Sequence, residues 1–220
     1  KADMLFGIKH DVDYIACSFV SVRQDLVNVH EFLNANGGER ISLIAKIENR
    51  SGIENIEEIC SVCDGIMIGR GDLGVEIPFD EVPAVQKKLI TKCRLLGKRV
   101  ITATEMLESM IYNPRPTRAE ISDVANAVYD GTSAIMLSGE TAAGKYPVLV
   151  VETMSRIAME TEQNIHYSKR FRNNAFTIKN VVDAISHATC GMSIDVDAEA
   201  IVVCSLSGVT VRMVSRFRPP

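Results

Sequence analysis

The sequence predicts an α/β fold in which helices cover a parallel sheet. Short apolar runs rich in β-branched residues alternate with segments of helical periodicity along most of the 220 residues. Polar, reactive side chains follow nearly every one of these runs. Because parallel strands are joined by helical crossovers, the alternation indicates either an open doubly wound sheet or a (β/α)₈ barrel.

Five strands and the helices between them can be placed in order. The predicted strands cover residues 12–18, 41–47, 65–69, 100–103 and 134–137. After the first strand, helical spacing relates Val22, Leu26, Val29 and Leu33. The later helices carry Ile53, Ile56 and Ile59, then Val82, Val85, Leu89 and Cys93 before a stop at Gly97. Thr117 and Glu120 have the spacing of a capping box, so a further helix is predicted to open at Thr117.

The polar residues at the strand ends favour the barrel. The loops at the carboxyl rim of a barrel surround one pocket, whereas an open sheet uses mainly the strand ends at its switch point. The candidate rim residues are, in strand order, Ser18, Lys46 and Glu48, Arg70 and Asp72, Thr104 and Glu105, and Ser138 and Glu140. We therefore predict a partial barrel of about five of the eight β/α units. Since the chain opens without Met and within a predicted helix, we expect earlier strands to precede Lys1.

Two carboxylates and a lysine on adjacent strand ends suggest metal-assisted chemistry. Glu48 and Asp72, with water and a substrate phosphate, supply the oxygen ligands that Mg²⁺ or Mn²⁺ prefers. Lys46 lies two residues before Glu48, so both side chains point to one face of an extended strand. An ammonium beside a divalent metal suits phosphoryl transfer. From these residues alone, a purely structural Lys–Glu pair is an equally good interpretation.

A glycine pattern after the third strand resembles a dinucleotide fingerprint. Gly69, Gly71 and Gly74 match G-x-G-x-x-G. The segment that follows contains Pro78 and cannot open the long helix that receives a pyrophosphate, and Asp72 would repel one. A glycine turn that exposes backbone N–H groups better suits a small carboxylate beside a bound metal.

Charge and hydropathy argue against two classes of partner. The chain has 24 basic and 28 acidic residues, a net charge of −4 and no Lys/Arg-rich block, so no nucleic acid is expected to bind. No apolar run approaches the roughly 20 residues of a membrane span, and the first residues lack the layout of a signal peptide. We expect no membrane partner and a cytoplasmic location.

Six cysteines raise the question of disulfides or zinc. Cys17, Cys60, Cys93 and Cys204 lie in apolar periodic segments, as small core residues do, so reduced thiols are expected. Cys60 and Cys63 form a single C-x-x-C with no second pair or nearby histidine to complete a zinc site. A structural role is therefore predicted.

Five blocks of the sequence follow one another in a recognisable order. They are AKIEN at 45–49, GRGDLGVEIP at 69–78, TATEMLESMI at 102–111, NPRPTRAE at 113–120 and MLSGETA at 136–142. Together they resemble the pyruvate kinase family. The resemblance covers nearly the whole chain and implies transfer of phosphate from phosphoenolpyruvate to ADP, giving pyruvate and ATP. It implies Mg²⁺ or Mn²⁺, K⁺ at a site mostly outside this chain, a homo-oligomer, most simply a tetramer, and regulation by a sugar-phosphate or nucleotide effector.

The resemblance also implies roles for single residues. Lys46 resembles the lysine that stabilises the transferring phosphoryl group and the enolate oxygen, and Glu48 and Asp72 resemble the metal ligands. The backbone of Gly71 and Asp72, with the Thr104 hydroxyl, resembles the cradle of the substrate carboxylate. Thr104 and Ser138 resemble parts of the path that protonates the enolate, although Ser138 is also explained as a plain rim serine.

Other positions match the family's assembly and regulation, or depart from its pattern. Arg118 resembles an arginine that reaches a neighbouring subunit, and is otherwise a solvated helix charge. Glu105 stands where the family usually has Gln, and Ser133 where it often has Asp. An extra carboxylate beside Thr104 is expected to shift the local balance of protons or metal.

The chain is predicted to divide into two domains. Residues 1–165 would form the second half of a catalytic barrel, and residues 166–220 the start of a regulatory α/β domain, entered through a polar linker at 166–174. In this second domain we predict a helix carrying Ala184, Ile185 and Ala188, then a strand at 200–204. The loop that follows contains Ser205, Ser207, Gly208 and Thr210 and resembles an effector phosphate loop, with an ordinary strand-to-helix turn nearly as good an account.

Two other functions stay open at this point. One is a metal-dependent aldolase or lyase among the barrels that handle pyruvate-like substrates. The other is a non-catalytic segment that mediates assembly, since the missing strands would leave the isolated chain inactive.

Overall fold

The computed structural model describes residues 1–173 and 176–219. Its centre is one sheet of five parallel strands. The strands are Tyr14–Cys17 (β1), Ser42–Ile47 (β2), Gly65–Gly69 (β3), Arg99–Ala103 (β4) and Ala134–Met136 (β5). All five lie within the predicted runs or within one residue of them.

The strand order confirms the predicted partial barrel. The strands lie side by side in the order β1-β2-β3-β4-β5, so each crossover moves the chain one strand in the same direction. A doubly wound sheet reverses its order at a switch point, and no reversal occurs here. The register places Ile47 opposite Ile68 and Gly69 opposite Ala103, so the segments that follow β2, β3 and β4 leave the sheet at one edge.

Helices connect the strands and continue beyond them. They are Ala2–Lys9 (α1), Arg23–Asn34 (α2), Arg50–Glu54 (α3), Ile56–Val62 (α4), Arg70–Glu76 (α5), Val82–Leu95 (α6), Arg118–Asp130 (α7), Gly139–Ala142 (α8), Pro147–Gln163 (α9), Tyr167–Asn173 (α10), Val181–Asp195 (α11) and Val209–Ser215 (α12). Short 3₁₀ turns cover Phe79–Glu81 and Glu108–Ile111. None of the described helices has the length and apolar character to cross a bilayer.

The predicted capping box begins α7. The Thr117 hydroxyl accepts the N–H of Glu120, and the Glu120 carboxylate accepts the N–H of Thr117. The same carboxylate accepts the N–H and the hydroxyl of Ser109, both at 2.6 Å. Burial opposes ionisation of Glu120, but these hydrogen bonds outweigh it and lower its pKa. Glu120 therefore fixes the start of α7 to the loop after β4.

Side-chain alternation along the strands separates two faces of the sheet. The helix-covered face holds the main core, in which Leu43, Ala45 and Ile47 of β2 are fully buried. On the opposite face, Ile44 packs with Met67 and Ala103 in a smaller cluster. Because side chains alternate along a strand, Lys46 shares this second face with Ile44.

All six cysteines are free thiols. Cys60 and Cys93 are buried with their sulfur atoms 3.6 Å apart, and Cys63 is buried beside them. Burial, with a smaller contribution from Cys63, raises the pKa of the Cys17 thiol to about 11. Cys60, Cys63, Cys93 and Cys190 are buried core side chains, and Cys17 is half-buried. The core position expected for Cys204 is wrong, because this residue is exposed in the unpaired segment at 200–204.

Two predictions for the second half of the chain are wrong. The expected linker is the helix α10 as far as Asn173, because Tyr167 and Phe171 lie four residues apart on one helical face and Phe171 stacks on His187 at 4.7 Å. Asn174 lies outside the described residues. The expected strand at 200–204 has no regular secondary structure and pairs with no strand among the described residues, although Ile201 packs on the cluster around Cys190 and Phe217. The predicted helix between them is confirmed as α11.

Candidate active site

An ion pair with one buried partner marks the carboxyl end of β2. Nζ of Lys46 lies 2.6 Å from Oε1 of Glu48 and donates to the hydroxyl of Ser18, just after β1, at 3.1 Å. The Glu48 carboxylate is 1% exposed, and its other oxygen accepts the N–H of Phe19 at 2.8 Å. The Lys46 side chain keeps 24% of its surface exposed. A cation held by a buried carboxylate thus faces solvent at the strand ends.

The glycine at the end of β3 makes room for this carboxylate. A Cβ atom at Gly69 would lie 2.7 Å from Oε1 of Glu48, well inside normal contact distance. Any larger residue would displace Glu48 from Lys46. The first glycine of the G-x-G-x-x-G pattern therefore serves close packing between β2 and β3.

Arg70 binds the backbone at the end of β4 through several hydrogen bonds. Its guanidinium donates to the carbonyl oxygens of Thr104 and Glu105 at 2.6 and 2.9 Å. Nε also donates to Ala103, at 3.3 Å. On its other side, Nη1 lies 2.6 and 2.7 Å from the two carboxylate oxygens of Asp123 in α7. One largely buried arginine thus ties the start of α5, the turn after β4 and α7 together.

The turn that Arg70 holds is strained. Thr104 and Glu105 have φ angles of 70° and 52°, in the left-handed region that side chains rarely occupy. Such positions cost about 1–3 kcal/mol each and persist where surrounding contacts impose them. The two carbonyl groups bound by Arg70 belong to these same residues. Strain at the predicted site is therefore maintained by a specific clamp.

Gly71 and Thr104 meet across β3 and β4. The N–H of Gly71 donates to the Thr104 hydroxyl at 2.9 Å, and that hydroxyl donates to the carbonyl of Ala103 at 2.5 Å. The predicted glycine turn is wrong in one respect, because residues 70–76 form the short helix α5. Asp72 lies exposed in its first turn. As expected, no long helix opens there.

The fifth strand end carries a structural carboxylate. Glu140 is fully buried, and its oxygens accept the N–H groups of Leu107 at 3.1 Å and Ser138 at 2.7 Å. It joins the segment after β4 to the segment after β5. Ser138 is half-buried beside it, and all of its hydrogen bonds within the described residues are made by its backbone N–H and carbonyl, so its hydroxyl stays available.

The structure brings some of the predicted residues into contact and leaves others apart. Lys46, Glu48 and Ser18 form one group, and Gly71 and Thr104 another. Glu48 and Asp72 follow neighbouring strands, but no cluster of three or more His, Cys, Asp or Glu side chains suited to a metal occurs in the described chain. Two carboxylates match a metal that takes its remaining ligands from water and substrate.

The residues predicted for assembly and regulation are not among the groups at the strand ends. Arg118 is exposed at the start of α7. The loop before α12 binds its own backbone, since the Ser205 hydroxyl accepts the N–H of Gly208 at 3.0 Å and the Ser207 hydroxyl that of Val209 at 3.4 Å. Thr210 lies in α12.

Sequence reasoning missed the carboxylate partner of Arg70. Asp123 lies in the middle of α7, 53 residues away, with no motif that distinguishes it from a solvated helix charge. Ser133, which departs from the family's usual Asp, lies away from the predicted site. Its hydroxyl accepts the N–H of Val100 near the start of β4, whereas Thr104 follows the end of that strand. The side chain of Glu105 is exposed and makes no hydrogen bond or ion pair among the described residues.

Comparison with known proteins connects this geometry to one family. Residues 1–151 match the model of the pyruvate kinase barrel domain, and residues 183–220 match that of the pyruvate kinase alpha/beta domain. A pyruvate kinase from Clostridium acetobutylicum is 50% identical over 220 residues, which is all of this chain and 46% of the relative. One from Geobacillus stearothermophilus is 52% identical over 223 residues, covering 100% of this chain and 38% of the relative. The chain thus spans less than half the length of these relatives, and it belongs to the pyruvate kinase family.

Proposed function

We propose that this chain supplies part of the active site of a pyruvate kinase that transfers phosphate from phosphoenolpyruvate to ADP, giving pyruvate and ATP. The observation that carries the proposal is the ammonium of Lys46 held between Ser18 and the buried Glu48 at the ends of adjacent strands. A cation fixed in advance by protein contacts stabilises charge that develops on a transferring phosphoryl group, since it needs no rearrangement during the reaction.

Glu48 and Asp72 are proposed to hold Mg²⁺ or Mn²⁺. Their oxygens would provide part of the ligand set, with water and the substrate completing it. The metal, when bound, neutralises negative charge on the phosphate and the enolate oxygen. The contact of Glu48 with Lys46 orients its carboxylate, and the N–H of Phe19 occupies its second oxygen. K⁺ is proposed to bind mostly outside this chain.

Thr104 and the turn around it are proposed to position the substrate carboxylate. The N–H of Gly71 donates to the Thr104 hydroxyl, so the two groups lie within hydrogen-bonding reach of one small anion. The backbone of Asp72 would contribute from the same turn of α5. Thr104 and Ser138 are further proposed to lie on the path by which a proton reaches the enolate. The clamp by Arg70 supports these roles because it holds Thr104 in its strained conformation.

Assembly and regulation are proposed from the resemblance of single residues to the family's pattern. Arg118 is exposed at a helix start and is proposed to reach the α5 region of a neighbouring subunit in a tetramer. Ser205, Ser207, Gly208 and Thr210 are proposed to bind the phosphate of a sugar-phosphate or nucleotide effector. Residues 1–165 and 166–220 are proposed as the two domain segments, and the cytoplasmic location stays a prediction.

A coupled assay tests the proposed activity in a chain completed to the length of its relatives. Pyruvate formation from phosphoenolpyruvate and ADP should depend on a divalent metal. Aldol cleavage, expected of the pyruvate-handling lyases, should be undetectable in the same preparation. Cleavage without phosphate transfer would replace the proposal by the lyase alternative, and absence of both would favour a role in assembly.

A further inference from the structure

A strongly cationic cavity lies far from the strand ends described above. It has a volume of about 370 Å³ and is formed where the turn between α6 and β4 meets α12 and the residues after it. Six cationic side chains line it, namely Arg94, Lys98, Arg99, Arg212, Arg216 and Arg218. Among the described residues, no carboxylate lines this cavity. Its electrostatic character is therefore set by cations alone.

Arg94 is the most deeply buried of these cations. Its exposed fraction is 4%, and its one recorded hydrogen bond runs from Nη1 to the carbonyl oxygen of Arg216 at 3.3 Å. Within residues 1–173 and 176–219 its Nε has no hydrogen-bond partner and the guanidinium has no ion pair. Burial, together with the nearby charges of Arg170 and Arg218, lowers its pKa to about 10. A buried cation in such surroundings is costly unless an anion accompanies it.

The neighbouring guanidinium groups are held in place by contacts that leave donors free. Arg216 is 7% exposed and pairs with Asp183 at 2.7 Å through Nη2, while its Nε has no partner in the described part of the chain. Arg218 donates to the carbonyl oxygen of Thr132 at 2.9 Å. These anchors orient the arginines before any ligand arrives, which reduces the entropy lost on binding.

We propose that this cavity binds a small phosphate-bearing anion. Guanidinium groups match the geometry of phosphate oxygens, and a cluster of several compensates more than one negative charge. The volume lies within the range of small-molecule sites, roughly 300–1,000 Å³. The observation that selects an anion is the unpartnered Nε of the buried Arg94 among like charges.

The site is separate from the two others assigned in this chain. Arg99 begins β4, whereas the strained Thr104 follows the opposite end of the same strand. None of the effector-loop residues lines the cavity, which instead receives α12 through Val211, Arg212 and Ser215. A bound anion would therefore join the amino end of β4 to α12, linking the barrel segment to the second half of the chain.

Equilibrium dialysis of the 220-residue chain tests the proposal whatever its state of association. The probes are inorganic phosphate, pyrophosphate and glycerol phosphate, with chloride at matched ionic strength. Binding of one of the three phosphates should saturate at one site per chain. Arg94→Met should weaken it about tenfold or more, since it removes a charged hydrogen-bond donor. Arg212→Gln, at an exposed position on the cavity wall, should weaken it severalfold.

Controls distinguish this cavity from other cationic positions. Arg23→Gln makes the same charge change at an exposed residue of α2 and should leave binding unchanged. If Arg94→Met fails to fold, Arg212→Gln decides the result alone. Binding retained in both Arg94→Met and Arg212→Gln would overturn the proposal, placing the anion at the strand ends if Lys46→Met abolishes it and at the effector loop if Lys46→Met does not. Absence of saturable binding by all three phosphates would overturn it as well.

Discussion

Nζ of Lys46 lies 2.6 Å from Oε1 of Glu48, a carboxylate that is 1% exposed. The pair is asymmetric, because Glu48 is buried beneath the sheet edge while Lys46 remains partly open to solvent. Removing Lys46 leaves the buried charge of Glu48 uncompensated, which typically costs about 3–5 kcal/mol. The geometry thus keeps a cation in a fixed position, and the proposed chemistry depends on that position.

Metal binding should depend on both carboxylates. Replacing Glu48 or Asp72 by Ala in a chain completed to the length of its relatives should abolish Mn²⁺ binding and turnover together, since each removes an oxygen ligand. Electron paramagnetic resonance of free Mn²⁺ measures the affinity. Glu58→Ala, at an exposed position on α4, should bind Mn²⁺ normally. Unchanged Mn²⁺ affinity in Asp72→Ala would remove Asp72 from the ligand set.

The clamp between Arg70 and Asp123 should stabilise the fold measurably. Asp123→Asn weakens two hydrogen bonds to a guanidinium that is 10% exposed, so we expect the free energy of unfolding in urea to fall by about 1.5–3 kcal/mol. Asp195→Asn breaks the pair with Arg172, in which both side chains are more than 60% exposed. This variant should change the free energy of unfolding by less than about 1 kcal/mol. Equal effects in the two variants would contradict the structural role of the clamp.

The barrel segment was predictable because its signals are local. Apolar runs located all five strands, and Thr117 with Glu120 located the start of α7. The contact between Lys46 and Glu48 also follows from spacing along one strand. The partner of Arg70 could not be predicted, because Asp123 reaches it only through the packing of α7 against the sheet. The helix α10 was missed because its polar composition hides the single face formed by Tyr167 and Phe171.

The free energy of unfolding should decrease at alkaline pH because of two thiols, the half-buried Cys17 and the buried Cys190. Burial raises the pKa values of the Cys17 and Cys190 thiols from an ordinary 9.0 to about 11. At Cys17, the nearby Cys63 raises the pKa further. Because the thiols of the unfolded chain ionise at lower pH, their contribution to the free energy of unfolding is complete below pH 9 and is lost as the pH rises towards 11. Urea unfolding midpoints across this range measure the fall. The double variant Cys17→Ala, Cys190→Ala should show a shallower fall, and an unchanged slope would contradict the assignment.

The isolated 220-residue chain should be inactive and prone to association. In the described residues β1 and β5 each pair on one side only, so both edges offer unpaired backbone groups. Tyr14 on β1 and Phe6 on α1 are also exposed, at 47% and 64%. A coupled pyruvate assay should detect no turnover, and light scattering should detect oligomers. A monodisperse monomer that converts phosphoenolpyruvate with ADP would refute the partial-barrel account.

The turnover number of Lys46→Met tests the central claim most directly. In a chain completed to the length of its relatives, kcat for pyruvate formation should fall by orders of magnitude while KM for phosphoenolpyruvate changes much less, because the ammonium acts chiefly on charge in the transition state. Lys92→Met, at an exposed pair with Glu57, serves as the matched control and should leave both constants unchanged. A large rise in KM with kcat preserved would contradict the account, since Lys46 would then only position the substrate.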